Sequence, residues 1–120
     1  MQLLFERSFE YGNCEGLGLL KGEIRPIADV TEGLKIPHMG WNALRFAGGP
    51  HPLFRYIEPG DCVYFVHSFR PGLCSDTIAT SDYDGMFSAA LKYENFYGTQ
   101  FHPEKSGDVG ERIIKNFLAL

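Results

Sequence analysis

The chain has 120 residues, of which 44% are hydrophobic and 22% charged, and its formal net charge is −4. This length suits one domain with a hydrophobic core, and the composition argues against wholesale disorder. A dedicated nucleic-acid-binding protein would usually carry a basic face, whereas the Lys and Arg residues here are scattered. No apolar segment approaches the ~20 residues that a transmembrane helix needs, so we expect neither a nucleic-acid nor a membrane partner.

The cysteines indicate where the protein is located, and the spacing of the histidines indicates whether it binds a metal. Cys14, Cys62 and Cys74 are an odd number with no CxxC pair, and the first residues lack the order of a signal peptide. We therefore expect reduced, buried or half-buried thiols and a cytoplasmic location. The four histidines show no ligand spacing such as HxxxH, so we expect no metal and no other cofactor.

The first twelve residues, MQLLFERSFEYG, predict a helix. Gly12 suits its end, and no N-cap residue or strand leads into it. This start fits either a short natural terminus with a frayed first turn or a chain that begins inside a larger domain. Four apolar residues recur at helical spacing: Leu3, Leu4, Phe5 and Phe9.

Short extended segments follow Gly12, separated by Gly, Pro and Asp. The best strand is CVYFVHSFR, residues 62–70, because it is rich in β-branched and aromatic residues. The final segment, SGDVGERIIKNFLAL, has an apolar stripe at helical spacing and predicts an amphipathic helix. Residues 1–120 are thus predicted to form a single α/β domain. The other predicted extended segments are residues 17–27, 35–46, 76–83, 88–93 and 95–102.

The segment GTQFHPEKS contains the best candidate for catalysis. Pro103 disfavours helical dihedrals for His102, which is therefore predicted to be extended at the carboxyl end of a strand. Ligands of open α/β sheets bind at those ends. Glu104 could accept a hydrogen bond from one imidazole nitrogen and leave the other as a base. The residues alone leave a surface pair and a catalytic dyad both open.

The same segment resembles the His-x-Glu signature of the class I (triad) glutamine amidotransferases. KIPHMGWN, residues 35–42, is similar to the glutaminase subunits of imidazole glycerol phosphate synthase, which act in histidine biosynthesis. GLGLLKGEI, YFVHSF and HPEKSGDVGERIIKNFL follow the order of that subfamily. The resemblance implies a flavodoxin-like three-layer α/β/α fold with a mixed sheet, of which this chain would be the C-terminal part. It also implies that His102 and Glu104 complete a triad with a cysteine nucleophile.

The chain differs from the family pattern at its N-terminus. In the family, a strand enters a tight Gly-x-Cys-x-Gly turn, and a Met-Gln pair then opens the next helix, which matches Met1 and Gln2. The resemblance therefore places the nucleophilic cysteine, the first strands and the oxyanion loop upstream of this sequence. Cys14 follows the predicted helix in a loop, Cys62 opens the 62–70 strand at the end opposite its expected active edge, and Cys74 comes after that strand. We therefore expect none of them to replace the nucleophile.

The resemblance assigns two further groups of residues. One group would bind the glutamine substrate, and the other would form the interface with a (β/α)₈ cyclase subunit in a heterodimer. On residues alone, Glu10 could lie on an exposed helix face, His67 could be a core histidine, and Trp41 a core or turn aromatic. The glutamine group is Gln2, Glu10, His67, Ser68 and Phe69; the interface group is His38, Met39, Gly40, Trp41 and Asn42.

The predicted function is hydrolysis of glutamine to glutamate and ammonia, with the ammonia passed to the cyclase. Because the nucleophile is missing, we expect this chain alone to be inactive. Two alternatives remain open: a non-catalytic binding or regulatory module that retains the docking face, or another class I amidotransferase, which KIPHMGWN disfavours.

Overall fold

The computed structural model describes residues 1–29 and 33–120. Within them the chain forms ten strands, four short 3₁₀ helices and one α-helix, α1 (Gly107–Leu118). None of the described helices is long and apolar enough to cross a membrane. The strands are β1 (Phe5–Ser8), β2 (Cys14–Glu15), β3 (Leu20–Pro26), β4 (His38–Ala43), β5 (Arg45–Phe46), β6 (Cys62–His67), β7 (Phe69–Arg70), β8 (Thr77–Asp82), β9 (Met86–Tyr93) and β10 (Phe96–Thr99).

The strands form three hydrogen-bonded groups. Their orders are β2-β1-β3-β7, β10-β9-β8-β5 and β4-β6. The pairing is mixed, since β1 runs parallel to β3 and the other described pairs are antiparallel. The predicted α/β class with a mixed sheet and a C-terminal helix is confirmed, and each extended segment predicted after Gly12 overlaps at least one strand.

The predicted helix over residues 1–12 is wrong. Only Gln2–Leu4 form a single 3₁₀ turn, and β1 begins at Phe5. Phe5 is buried against Leu20, Ile24 and Leu91, and β1 pairs in parallel with β3. The helical spacing of apolar residues is overridden because strand pairing satisfies the backbone of residues 5–8 and buries Phe5.

Helix α1 packs through one narrow face. Gly110, Ile113 and Asn116 are its buried residues, whereas the end of the predicted apolar stripe, Phe117 and Leu118, is exposed. The Asn116 amide donates to the carbonyl oxygens of Leu53 (2.9 Å) and Arg55 (2.8 Å). These bonds join the C-terminal half of the helix to residues 53–55, in the segment before β6.

The main core lies between β6, the β8–β9 pair and α1. In β6, buried Val63 and Phe65 alternate with more exposed residues, as in a half-buried strand, whereas β9 is buried at every residue from Phe87 to Leu91. Phe65 of β6 contacts Phe87 and Phe101 edge-on, with ring centroids 5.5 and 5.9 Å apart. Phe101 immediately precedes His102, so this aromatic cluster fixes the end of the segment that carries the predicted catalytic histidine.

Candidate active site

His102 is held by the backbone of β6. Its dihedrals (φ −100°, ψ 99°) are extended, as the following proline predicts. Its N–H donates to the Tyr64 carbonyl oxygen at 3.0 Å. Pro103–Lys105 then form a 3₁₀ turn, and the buried Ser106 leads into α1. His102 therefore lies at a fixed place beside the centre of a buried strand.

His102 and Glu104 form a hydrogen-bonded pair. The imidazole Nδ1 lies 3.0 Å from the Glu104 Oε1, with side-chain exposures of 39% and 61%. The backbone N–H of Glu104 itself, and then the hydrogen bond and charge of His102, hold the pKa of this carboxyl below its usual range. A carboxylate only accepts hydrogen bonds, so Nδ1 carries a hydrogen, and in the neutral ring Nε2 then presents a lone pair. The pair can thus serve as an oriented base.

Gln2 lies against two other parts of the predicted site. Its Nε2 donates to the Phe69 carbonyl oxygen at 2.9 Å and to the Gln100 Oε1 at 3.2 Å. Met1 packs so closely on Gly98 that a Cβ added there would lie 3.0–3.2 Å from Met1 atoms. The start of the chain therefore lies beside β10, and Gln100 is two residues before His102.

His67 joins the Phe69 carbonyl to the interface group. Its Nδ1 lies 3.0 Å from the Phe69 oxygen, and its Nε2 lies 2.9 Å from the Nδ1 of His38, its partner across the β4–β6 pair. The His38 Nε2 is 3.3 Å from the Asn42 Nδ2. Burial, with a smaller contribution from the charge of Arg70, lowers the pKa of both His38 and His67 from 6.5 to about 4. Both rings are neutral near pH 7.

Strand alternation divides the predicted interface residues between two faces of β4. His38 is 3% exposed and points inward, whereas Met39 and Trp41 are 61% and 58% exposed. Trp41 lies edge-on to Tyr64 with centroids 6.0 Å apart. Tyr64 is the β6 residue whose backbone holds His102. The exposed apolar face of β4 thus adjoins the His102–Glu104 pair.

Hydrogen bonds link only some of the residues predicted to bind glutamine. Ser68 is half-buried, and its carbonyl oxygen accepts from the Ile27 N–H at 2.9 Å. Glu10 lies in the turn after β1, where its N–H lies 3.2 Å from the Ser8 Oγ. No hydrogen bond between described residues links the Glu10 side chain to the rest of the group. Because residues 1–12 are not helical, Gln2 and Glu10 do not share a helix face.

The predicted burial of the thiols is wrong for two of the three cysteines. All three cysteines are free, yet Cys14 and Cys62 are exposed, and only Cys74 is half-buried. The two exposed thiols lie on the short β2 and at the first residue of β6, where side chains reach solvent. The hydrogen bonds of His102 involve none of them.

Sequence reasoning missed Gln100 and Ser106. Ser106 occupies the N-cap position of α1 but makes no side-chain cap; instead its Oγ accepts from the Tyr64 N–H at 3.0 Å. A serine before an amphipathic helix predicts an ordinary cap, so nothing in the sequence signalled this bond. Gln100 directly follows β10, and no sequence pattern singles it out. Only its hydrogen bond with Gln2 in the structure identifies it as part of the site.

A profile described as "Glutamine amidotransferase class-I" matches residues 1–120. This chain belongs to the class-I glutamine amidotransferase family. The predicted family membership is confirmed. The catalytic roles of His102 and Glu104 stay a prediction.

Within this family, the chain is similar to curated proteins that share one name. The amidotransferase chain is 49% identical over 98% of its length to "Imidazole glycerol phosphate synthase subunit HisH" of Rhodospirillum rubrum. It is 45% identical over its full length to the protein of that name from Pectobacterium atrosepticum, and 50% identical over 98% to that from Mannheimia succiniciproducens. The chain spans 56%, 60% and 59% of these relatives' lengths. This coverage agrees with the prediction that it matches part of such a subunit.

Proposed function

We propose that this chain supplies the histidine and glutamate of a cysteine-based triad that hydrolyses glutamine. The observation that carries the proposal is the 3.0 Å contact between His102 Nδ1 and Glu104 Oε1. It leaves Nε2 as the proton acceptor for a thiol. Membership of the class-I glutamine amidotransferase family supports glutamine as the substrate. The similarity to subunits of imidazole glycerol phosphate synthase supports a role in such a subunit.

The reaction proceeds by acyl transfer. His102 Nε2 takes the thiol proton, and the thiolate attacks the side-chain amide carbon of glutamine. The tetrahedral intermediate collapses when His102 returns the proton to the leaving nitrogen, which departs as ammonia and leaves a thioester. His102 then deprotonates the water that releases glutamate, and the thiol is restored. Glu104 keeps Nδ1 protonated and stabilises the transient imidazolium.

The position of Met1 supports a nucleophile supplied from an upstream segment. Gln2 and Met1 hold the start of the chain beside Gln100 and Gly98, near the end of the segment that carries His102. A cysteine turn joined directly to Met1 would enter from this side. The family turn, Gly-x-Cys-x-Gly, would then bring its thiol toward His102.

A cyclase subunit is the proposed partner, and Met39 and Trp41 are its proposed contacts. Large exposed apolar side chains are typical interface anchors. Ammonia made beside His102 would leave next to this face, since Trp41 contacts Tyr64, whose backbone holds His102. The three free cysteines fit the reducing conditions of the cytoplasm, where we place this heterodimer.

A glutaminase assay tests the proposal. Glutamate release is measured for the chain as given and for the chain joined to, or mixed with, a family segment carrying Gly-x-Cys-x-Gly, each with and without cyclase. We expect activity only with the added segment and none when its cysteine is changed to serine. Activity of the chain as given, lost on Cys62→Ser or Cys74→Ser, would overturn the assignment of the nucleophile.

The second candidate is a non-catalytic docking module. The exposed face of Met39 and Trp41 favours it, because that face needs no nucleophile. Cyclase binding by the chain as given, with no glutamine hydrolysis after the cysteine segment is restored, would select this candidate. An in-frame Gly-x-Cys-x-Gly in the DNA upstream of codon 1 would favour the catalytic assignment.

A further inference from the structure

We propose that His38 is a positioning residue for the glutamine-binding segment His67–Phe69, and that it acts by fixing the tautomer of His67. The inference rests on the proposed function, since it assigns a role in binding glutamine. It separates the inward residues of KIPHMGWN from the outward ones. Met39 and Trp41 would serve the partner, while His38 and Asn42 would serve the substrate site.

The hydrogen bonds between these residues allow one consistent arrangement of protons. The Phe69 carbonyl oxygen can only accept, so the His67 Nδ1, 3.0 Å away, carries a hydrogen. In a neutral ring the His67 Nε2 must then accept, and the His38 Nδ1 at 2.9 Å must donate to it. The His38 Nε2 accepts in turn from the Asn42 amide at 3.3 Å.

The orientation of Asn42 is fixed independently. Its Oδ1 accepts from the Ala43 N–H at 2.8 Å, and its Nδ2 donates to the Asp82 carbonyl oxygen at 2.9 Å. The amide nitrogen therefore faces His38, as the chain of donors requires. The three hydrogen bonds of the series are therefore donated in one direction, from Asn42 to His38, from His38 to His67 and from His67 to the Phe69 carbonyl oxygen.

Packing holds the His38 ring in place. The ring stacks between Tyr83, with centroids 4.0 Å apart and an interplanar angle of 18°, and Phe65, at 4.8 Å and 19°. His38 and His67 are 3% and 8% exposed, so water has little access to replace their partners. An unpaired buried nitrogen is costly, which makes the tautomers of the two rings interdependent.

The end of this series is the predicted glutamine-binding segment. The Phe69 carbonyl accepts from both His67 and Gln2, and Gln2 also reaches Gln100. Two donors on one carbonyl fix the plane of the peptide that follows Phe69. If His67 adopted the other tautomer, its Nδ1 would meet the Phe69 oxygen lone pair to lone pair. The peptide would turn away, and the backbone proposed to hold glutamine would lose its orientation.

Nitrogen-detected NMR of the imidazole rings tests the tautomers without any need for activity. In the chain as given, near pH 7, we expect both His38 and His67 to be protonated on Nδ1 and not on Nε2. His38→Phe keeps an aromatic ring between Tyr83 and Phe65 but removes the donor, so the Nδ1-protonated fraction of His67 should fall. His38→Asn supplies an amide donor near the same place and should restore it. Met39→Ala, on the outward face of the same strand, should leave the His67 signals unchanged.

Steady-state kinetics test the role in binding. In the chain with the cysteine segment restored, His38→Phe should raise the KM for glutamine roughly five- to tenfold, the effect of one or two net hydrogen bonds. The kcat should change less than about threefold, because the triad is untouched. His38→Asn should recover much of the KM. A folded His38→Phe variant with an unchanged KM would overturn the proposal.

The two tests also separate this proposal from the proposed function. If the unsubstituted assembly hydrolyses no glutamine, the proposed function fails. The ring spectra then still decide whether His38 fixes His67: a His67 tautomer that ignores His38→Phe overturns the positioning role, and a tautomer that follows it supports that role. Protonation of His67 on Nε2 in the unsubstituted chain would contradict the assigned arrangement directly.

Discussion

The Ser106 hydroxyl donates to the carbonyl oxygen of His102 at 2.6 Å. The same oxygen atom of Ser106 accepts from the Tyr64 N–H at 3.0 Å. Because His102 N–H also bonds to the Tyr64 carbonyl, the turn from His102 to Ser106 is docked on one residue of β6 at both of its ends. Ser106 is 1% exposed, so water cannot take over these bonds. A residue outside the recognised signature thus sets the position of the candidate base.

Ser106→Ala should destabilise the fold and misplace His102. The change removes the acceptor of the Tyr64 N–H and one of the two donors to the His102 carbonyl oxygen, which keeps the Lys105 N–H. An N–H left without its partner costs ~1–3 kcal/mol in the free energy of unfolding. Denaturant unfolding of the chain measures the loss. With the cysteine segment restored, turnover should fall as well, because His102 is no longer held to Tyr64 of β6 through the Ser106 hydroxyl.

Ser75→Ala is the matched control. Ser75 is exposed in the loop before β8, and a surface change of this kind stays within about 0.5 kcal/mol. Equal stability of the Ser106→Ala and Ser75→Ala variants would contradict the docking role of the Ser106 hydroxyl.

Trp41→Ala should weaken cyclase association and leave the fold intact. The indole is 58% exposed and touches Tyr64 edge-on, so little core packing depends on it. An interface anchor of this type is worth ~2 kcal/mol or more when truncated. Titration of the cyclase against the chain measures the change in the dissociation constant.

Leu118→Ala provides a control for loss of exposed apolar area. Leu118 is 77% exposed at the C-terminal end of α1, away from the β4 face, and its truncation should leave cyclase affinity unchanged. Unfolding of the Trp41→Ala variant would instead support the interpretation of Trp41 as a core aromatic.

Stability should fall as the pH drops from about 6.5 to about 4. Burial lowers the pKa of His38 and His67 to about 4 in the folded chain, with Arg70 and, for His67, His102 adding positive charge nearby. The unfolded chain therefore binds more protons than the folded chain between these values. By linkage, the free energy of unfolding decreases as pH falls, by up to ~1.4 kcal/mol per pH unit for each such histidine.

Urea unfolding at pH 7, 6, 5 and 4.5 checks this dependence. The His38→Phe variant removes one of the two rings, so its stability should change less steeply across the same range. Parallel slopes for the two proteins would contradict the depressed pKa of His38.

The sequence anticipated what depends on local patterns. The proline after His102 predicted its extended backbone, and the apolar spacing of residues 106–120 predicted α1. The prediction of a helix over residues 1–12 was wrong because the strand there pairs in parallel with β3, with Phe5 opposite Leu20, and no local sequence pattern indicates that pairing. The His38–His67 hydrogen bond could not be predicted for the same reason. It depends on the register between β4 and β6, which places two residues 29 positions apart opposite each other.

His102 should be essential to glutamine hydrolysis once a cysteine segment is restored. A thiol near neutral pH is mostly protonated, and the Nε2 left free by the bond to Glu104 is the group placed to take that proton. His102→Ala should lower kcat by orders of magnitude, because members of a triad act as a unit. Glu104→Gln should cost less, since its amide oxygen can still accept from Nδ1 and keep the tautomer, while the stabilisation of the imidazolium is lost.

Both triad variants should remain folded, since the two side chains are 39% and 61% exposed and their mutual bond lies at the surface. Lys105→Ala, in the same 3₁₀ turn and exposed, is the control and should keep nearly normal turnover. Single-turnover release of glutamate, with unfolding curves for each variant, separates loss of chemistry from loss of fold. Near-normal turnover in a folded His102→Ala variant would reduce the His102–Glu104 contact to an ordinary surface ion pair and reject the triad assignment.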